Sequence, residues 1–169
     1  MMQNVTDIYP LSPLQQDMLF DTVYASKRSA YVAYVTFRVH GDLHVALFKQ
    51  AWQKIMERHP VLRTAFVWER VKKPVQVVRT EVVLPWDDRD WNGLDEEEQE
   101  RQLQQYLDEE LRRGFNPGQA PLTRVALVRL RDNQYQFIWT YSNLCLDGRS
   151  IQIICHDLFA HYRSLSEGR

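Results

Sequence analysis

The chain has 169 residues, of which 44% are hydrophobic and 25% are charged, with only 6 glycines and 7 prolines. This composition excludes disordered and collagen-like chains, and the length suits one domain. A chain of this size buries roughly 70% of its unfolded surface, so a core forms without metal or disulfide cross-links. The 21 basic and 22 acidic residues lack the basic excess that binding to a phosphate backbone requires, which argues against nucleic acid as a partner.

Two features of the sequence bear on its cellular setting. Cys145 and Cys155 lie ten positions apart without a CxxC or Cys/His ligand spacing, so we expect reduced, buried thiols and a cytoplasmic protein. Residues 1–7 lack the basic and apolar segments of an export signal, and 18 apolar residues never run together. The sequence therefore predicts neither export nor a membrane span.

The first third of the chain predicts two helices and a strand between them. Ser12 before Pro13 is a good helix start, because the hydroxyl caps free amides and proline at the first position loses no needed donor. Residues 31–40 are almost continuously apolar, which is typical of a strand covered on both faces. Apolar residues then recur at helical spacing over 43–55, and Pro60 disfavours the helical conformation of the residue before it.

The middle of the chain predicts short strands and then a long helix. Residues 64–69 and 75–83 alternate around a basic turn and predict a hairpin or two short strands. Residues 85–93 are predicted to be an irregular connection. The helix over 94–113 begins with acidic residues and ends with basic ones before Gly114, as the helix dipole and a glycine cap favour.

The last third predicts a hairpin followed by a helix. Strands over 122–131 and 134–144 flank Asp132-Asn133, a turn of the kind that closes hairpins, and the last helix begins at Ser150. The second strand has aromatic residues on one face, which we expect to be sheet core rather than a substrate wall: Tyr135, Phe137, Trp139 and Tyr141. The pattern predicts one α+β domain over 1–169, a mostly antiparallel or mixed sheet covered by helices, an architecture that fixes no function.

Three strings of residues in this sequence have a recognisable form. They are DIYPLSPLQQDMLF at 7–20, RHPVLRTAF at 58–66, and GFN at 114–116 followed by APL at 120–122. Together they resemble the amino-terminal half of a nonribosomal peptide synthetase condensation domain, a member of the chloramphenicol acetyltransferase-like superfamily. The resemblance runs nearly end to end. It implies one lobe of a two-lobed domain whose tunnel lies between the lobes, with the second lobe absent.

The family's signature motif is HHxxxDG, and aligning it on Asp147-Gly148 puts Ser142 and Asn143 at the two histidine positions. The resemblance implies that the second position acts as a general base or orients the amine. Asparagine has no pKa near operating pH, so Asn143 cannot accept the proton, although it can still orient an amine by hydrogen bonding. Losing a general base costs a factor of about 10² to 10⁴ in rate. We therefore expect a degenerate site.

The second half of that motif is kept in this sequence. The resemblance implies a structural role for Asp147, paired with an arginine that holds the loop, and Arg63 is the candidate partner. From the residues alone, Asp147 is either the cap of the helix that starts after it or a member of a buried ion pair. Preserved scaffold beside a lost catalytic group is the main feature of this sequence.

The histidines offer weaker candidates for chemistry. His40 and His44 are four apart, but a glycine between them breaks the helix that a shared metal site would need. His156 and His161 are five apart, a poor spacing for shared ligation, so we expect solvated or capping roles. His156 is close enough to the motif to be considered as a substitute base. His59 is expected to stop a helix and anchor a loop.

Other chemistry-bearing patterns are also weak. Ser142 lacks the GxSxG elbow of a serine nucleophile, and no glycine-rich phosphate loop occurs. Two basic patches, Arg70 with Lys72-Lys73 and Arg112-Arg113, are most simply solvated. Because carrier proteins are usually acidic, a docking role for either patch is a testable hypothesis.

The leading hypothesis for function is a truncated, catalytically degenerate condensation-like domain that binds a carrier protein, a neighbouring synthetase domain or a second copy of itself. It needs no cofactor of its own, since phosphopantetheine would be carried by the carrier protein.

The alternative is one lobe of an amide-forming acyl or peptidyl transferase, completed by self-association, a partner chain or the rest of a longer protein. In that case Asn143 positions the amine and Asp147 holds the loop. A third interpretation is a piece excised from a longer gene product. A lobe that packs against another is expected to expose apolar surface.

Overall fold

A computed structural model of the chain describes residues 4–24 and 30–168. Residues 1–3, which belong to the segment inspected for an export signal, lie outside these ranges. The helices and strands, in chain order, are β1 (Val5–Pro10), α1 (Pro13–Tyr24), β2 (Val32–His40), α2 (Val45–Arg58), a 3-10 turn (Pro60–Arg63), β3 (Thr64–Val67), β4 (Val75–Arg79), β5 (Trp86–Asp90), α3 (Glu96–Arg113), β6 (Thr123–Arg131), β7 (Gln134–Ser142) and α4 (Gly148–Ser166). The expected α+β class is confirmed.

The main sheet has four strands in the order β2-β7-β6-β5. β7 is antiparallel to both of its neighbours, and β5 runs parallel to β6, so the sheet is mixed. The predicted hairpin turn is present, with Asn133 in the left-handed region at φ 57°. Because successive side chains of a strand point to opposite faces, the central strands contribute side chains to two cores, one on each face of the sheet. α2 and α4 cover one face of this sheet and α3 covers the other.

The larger core is built from the aromatic face of β7. Phe137 and Trp139 are fully buried against Trp52 of α2, with ring centroids 6.1 Å and 5.2 Å from the Trp52 ring. Tyr141 is buried beside them and Tyr135 packs at the edge of the same cluster. These aromatic residues are sheet core, as the sequence predicts.

A second, smaller sheet carries α1. Its strands are antiparallel in the order β1-β4-β3. The β3–β4 pair is the predicted hairpin, although β4 ends at Arg79 rather than continuing to residue 83. The Arg63 guanidinium donates to the Arg79 and Thr80 carbonyls, which holds the chain where the strand ends. Leu19 of α1 then packs with Phe66 of β3 and with Leu144, which follows β7.

Two strands differ from the sequence prediction. The irregular connection predicted for 85–93 is wrong, because Trp86–Asp90 forms β5, the parallel edge strand of the main sheet. Its charged side chains have low strand propensity, and it is a strand because β6 offers it a free edge. β1 was not predicted as a strand either. It is an edge strand whose residues are mostly exposed, so it lacks the buried apolar face that identifies a strand in a sequence.

The predicted helix ends are present. Asp95 caps α3 by accepting from the Glu98 amide at 2.9 Å, and Gly114 ends that helix at φ 61°. Within α3, Glu110 is buried and its carboxylate lies 2.6 Å from Nε of Arg124 in β6, which ties the helix to the sheet. Among the described residues, no helix has the length and apolar character needed to cross a membrane.

Candidate functional site

The signature motif lies in the segment 142–148, called the motif loop below, which connects β7 to α4. Ser142 is buried at the end of β7. Its hydroxyl accepts a hydrogen bond from the Leu144 amide at 3.3 Å, and its carbonyl accepts one from the Leu146 amide at 3.2 Å. Ser142 therefore closes the first turn of the motif loop. With its oxygen used in this way, Ser142 has the surroundings of a structural serine rather than of a nucleophile.

Asn143 is the next residue of the motif loop and is half-buried. Its backbone amide donates to the Tyr31 carbonyl at 2.8 Å, which fixes the main chain there. Its side chain makes no hydrogen bond with any residue that the structure describes. An amide in this state can accept from an amine or donate to a carbonyl, but it cannot take up a proton.

The structure corrects the predicted pairing of Arg63 with Asp147. Asp147 is exposed and caps α4, accepting from the backbone amide of Ser150 at 2.8 Å and from its hydroxyl at 2.7 Å. These bonds, with the Ser150 hydroxyl first, lower the pKa of Asp147. Gly148 begins α4, and a Cβ there would meet no atom within 4 Å, so this chain has no steric need for glycine at that position.

Arg63 is used elsewhere in the molecule. Its guanidinium donates to the carbonyls of Met56 at 2.9 Å and Glu57 at 3.4 Å, at the end of α2, in addition to the carbonyls that follow β4. Carbonyls at a helix end lack partners within the helix, so a guanidinium satisfies them well. Arg63 and Asp147 therefore have separate local partners, and no ion pair joins them among the described residues.

Gln15 is a residue of the motif-loop surroundings that the sequence reasoning missed. Its side-chain amide donates to the Leu144 carbonyl at 2.9 Å, inside the motif loop. Its oxygen accepts from the Ser12 amide at 3.0 Å, while the Ser12 hydroxyl accepts from the Gln15 amide at 3.2 Å. The S-x-x-Q spacing signals this reciprocal cap of α1. The long-range contact with residue 144 has no signal in the local sequence.

The histidines take separate structural roles. His59 caps the end of α2, as expected, and its Nε2 lies 3.0 Å from a carboxylate oxygen of Asp157 in α4. His44 caps the start of α2, accepting from the Leu47 amide. His156 is 83% exposed at its side chain and contacts Asp157 rather than the motif loop. This placement gives no support to His156 as a substitute base.

Neither cysteine has the character of a nucleophile. Both are free thiols and both are partly buried. Cys145 packs between the main core and the smaller one beneath α1, and burial raises the pKa of its thiol to about 12. Burial also raises the pKa of Cys155. Because the thiolate is the reactive form, these shifts disfavour chemistry at either residue.

Large apolar side chains are exposed at several places, most densely along α1. Phe20 is 59% exposed and Tyr24 is 64% exposed, with ring centroids 5.1 Å apart. A groove of about 310 Å³ runs beside them, walled on its other side by Trp68 and Pro74 of the β3–β4 hairpin. We call Phe20, Tyr24 and this groove the α1 patch.

The two basic patches differ in how their charges are used. The hairpin turn beside the α1 patch carries Arg70, Lys72 and Lys73, whose side chains make no hydrogen bond or ion pair with the rest of the described chain. At the end of α3, Arg112 instead donates to the Asp108 carbonyl and Arg113 pairs with Glu110. The hairpin charges are therefore available to a partner, while the helix-end charges serve the helix.

The sequence and the fold both match known condensation domains. The family model for the condensation domain matches residues 5–169. A linear gramicidin synthase of Brevibacillus parabrevis is 41% identical over 169 residues, which are 99% of this chain and 3% of that protein. Surfactin synthase subunit 3 of Bacillus subtilis (strain 168) is 32% identical over 163 residues, 96% of this chain and 13% of that protein. The chain thus spans a small part of these relatives.

Solved structures show the same fold. The starter condensation domain of rhizomide synthetase RzmA superposes with a TM-score of 0.82 at 21% identity, covering 96% of this chain and 40% of that one. The first condensation domain of the calcium-dependent antibiotic synthetase, in complex with a substrate analogue, gives a TM-score of 0.85 at 18% identity, covering 97% of this chain and 39% of that one. The chain belongs to the condensation domain family and corresponds to one lobe, about 40%, of these solved domains.

Proposed function

We propose that this chain is a docking lobe of the condensation type, which binds an acidic carrier protein through the α1 patch and contributes little chemistry itself. The observation that carries the proposal is the pair Phe20 and Tyr24, two adjacent aromatic side chains that are each more than half exposed. The named relatives are synthases of gramicidin and surfactin, and we extend the setting of peptide assembly in the cytoplasm to this chain.

The energetics favour the α1 patch as an anchor. Aromatic side chains bury large areas, and burial is worth about 25 cal/mol per Å² of apolar surface removed from water. Hot spots of interfaces are enriched in such residues, particularly where they enter a pocket. A partner side chain that enters the groove would contact Phe20 on one wall and Trp68 on the other.

The charges beside the α1 patch favour an acidic partner. Arg70, Lys72 and Lys73 follow Trp68 in the hairpin, and none of them is held by a described residue. Unpaired surface charges at the rim of an interface raise the association rate for a partner of opposite charge. Carrier proteins are usually acidic, and the hairpin charges favour them over a basic partner, while Asp17 also lines the groove.

Little catalysis is proposed because of the residue at position 143. Asn143 holds the place of the family's second histidine in the motif alignment, and its amide does not exchange protons at operating pH. The docking lobe needs no cofactor of its own in this proposal, since phosphopantetheine would arrive on the carrier protein. Neighbouring synthetase domains are further partners of the same assembly.

The test of the proposal is the dissociation constant for an acidic carrier protein, measured by titration calorimetry. The intact chain is expected to bind with a micromolar dissociation constant. The double variant Phe20→Ala/Tyr24→Ala is expected to bind at least about tenfold more weakly, because it removes both anchors. Ile153→Ala is the matched control, since Ile153 is 49% exposed on α4, outside the α1 patch. Equal affinity of all three proteins, or no binding by the intact chain, would contradict the proposal.

A second candidate function is an amide-forming transferase lobe whose site is completed by another chain, by a second copy or by further residues of a longer protein. The observation that favours it is the free side-chain amide of Asn143, half-buried in the motif loop. Its test is turnover of two aminoacyl-carrier substrates. Product formation that disappears in Asn143→Ala, with carrier binding unchanged, would establish this function over docking alone.

A further inference from the structure

The α1 patch and the motif loop are joined by two hydrogen-bonded connections. At the start of α1, Gln15 donates to the Leu144 carbonyl at 2.9 Å. Near its end, the Asp21 carboxylate accepts from the Tyr31 hydroxyl at 2.9 Å. The backbone carbonyl of Tyr31 in turn accepts from the Asn143 amide at 2.8 Å. Neighbouring residues of the motif loop are thus each connected to α1.

These connections lie on either side of Phe20 in the sequence of α1. Phe20 is five residues after Gln15, about 7.5 Å along a helix, and Asp21 directly follows it. Because backbone hydrogen bonds make a helix rigid over a few turns, a shift of Phe20 is expected to displace both connections. Leu19 adds an apolar contact beneath them by packing in the same cluster as Leu144.

We propose that Gln15 and Tyr31 are positioning residues that transmit occupancy of the α1 patch to Asn143 and Leu144 in the motif loop. This inference rests on the proposed function for the identity of the partner, but the connections themselves do not depend on it. Binding at α1 is expected to hold the helix, and the two connections in turn hold the motif loop, including the main chain at position 143.

Two near-isosteric variants cut the connections one at a time. Gln15→Glu keeps an oxygen that accepts from the Ser12 amide and from Gln76, so the cap of α1 is retained. It loses the donor to the Leu144 carbonyl and to the Gln76 oxygen. Tyr31→Phe removes only the hydroxyl that reaches Asp21. Controls with the same chemical change are Gln104→Glu on the exposed side of α3 and Tyr34→Phe on the exposed face of β2.

The first measurement is amide hydrogen exchange at residues 143–146 without a partner. All four amides donate hydrogen bonds in the structure, to Tyr31 and Ser142, so their exchange reports opening of the motif loop. We expect each variant to raise their exchange rates about five- to tenfold, the effect of one lost net hydrogen bond. We expect both controls to match the unmodified chain. Unchanged exchange in both variants would overturn the proposal.

The second measurement repeats the exchange with saturating carrier protein. In the unmodified chain, binding is expected to slow exchange at residues 143–146 severalfold. In the double variant Gln15→Glu/Tyr31→Phe, the dissociation constant is expected to stay within about twofold while that protection is lost. Binding without protection in the unmodified chain, or full protection in the double variant, would overturn the coupling. If the carrier protein does not bind at all, the docking function is overturned. The exchange rates measured without a partner would still show whether the two connections hold the motif loop.

Discussion

Nε2 of His59 lies 3.0 Å from Oδ2 of Asp157, which joins the end of α2 to the middle of α4. Nε of Arg58 lies 3.2 Å from the same oxygen. α2 and α4 together cover one face of the main sheet, so this carboxylate holds the two helices in register beside the largest core. The RHPVLRTAF string therefore acts by ending α2 and fastening it to α4.

Replacing that carboxylate is expected to destabilise the fold. In Asp157→Asn the charge-assisted contacts with Arg58 and His59 are weakened, and we expect the free energy of unfolding to fall by about 1 to 2 kcal/mol. Urea unfolding followed by tryptophan fluorescence measures this loss. Asp108→Asn is the control, because Asp108 is exposed on α3 and its carboxylate has no partner among the described residues. Equal stability of the two variants would show that the contacts contribute nothing.

The Asp157 carboxylate is also expected to make the stability of the fold depend on pH in the acidic range. Burial opposes ionisation of Asp157, but hydrogen bonds from His156 and His59 outweigh it and lower the pKa of Asp157. A lowered folded pKa means that this stabilisation is complete above the unfolded value of about 4 and is lost as the pH falls through the folded value. Between pH 5 and pH 3 the unmodified chain should therefore lose more unfolding free energy than Asp157→Asn does. If the free energy of unfolding falls equally with pH in the unmodified chain and in Asp157→Asn, this role is excluded.

Separate roles for Arg63 and Asp147 predict additive losses of stability. Arg63→Met removes donors to helix-end carbonyls and is expected to cost about 2 to 3 kcal/mol of unfolding free energy. Asp147→Ala removes the cap of α4 and is expected to lower the free energy of unfolding to a smaller extent. Since the two residues share no partner, the double variant should show the sum of the two losses. If the double variant is no less stable than Arg63→Met alone, the two residues act together, and the result would support the ion pair that the resemblance implies.

Charge at the β3–β4 hairpin is expected to control the rate of carrier binding. Lys73→Glu places an acidic residue beside the α1 patch, so the association rate should fall severalfold at low ionic strength and the difference should vanish at about 0.5 M salt. Stopped-flow measurements at a series of salt concentrations test this. Arg38→Glu on the exposed face of β2 makes the same change in net charge on the other sheet. If both variants slow binding equally, net charge rather than the hairpin is responsible.

Local chemistry made most of the fold predictable. The period of apolar residues identifies α2. Asp95 and Gly114 mark the two ends of α3, and Asn133 marks the turn between β6 and β7. β5 could not be found in this way. Four of its five residues are charged, and it becomes a strand only because folding brings it to the free edge of β6.

The motif loop was located by resemblance, but its contacts depend on residues distant in sequence. Arg63 had several possible acceptors, and the end of α2 provides them at closer range than Asp147 does. Gln15 reaches across 129 positions to Leu144, a contact that exists only because the smaller sheet holds α1 against the end of β7. Spacing within the sequence contains no information about either outcome.

The most direct test of carrier docking is a map of the amides that respond when an acidic carrier protein is titrated into the isotope-labelled chain. The account predicts that the largest chemical-shift changes fall on α1, around Phe20 and Tyr24, and on the hairpin residues 69–74. A second cleft lies between β5 and α3 and is lined by Arg89 and Tyr106. Changes confined to that cleft, or no changes at all, would contradict the account.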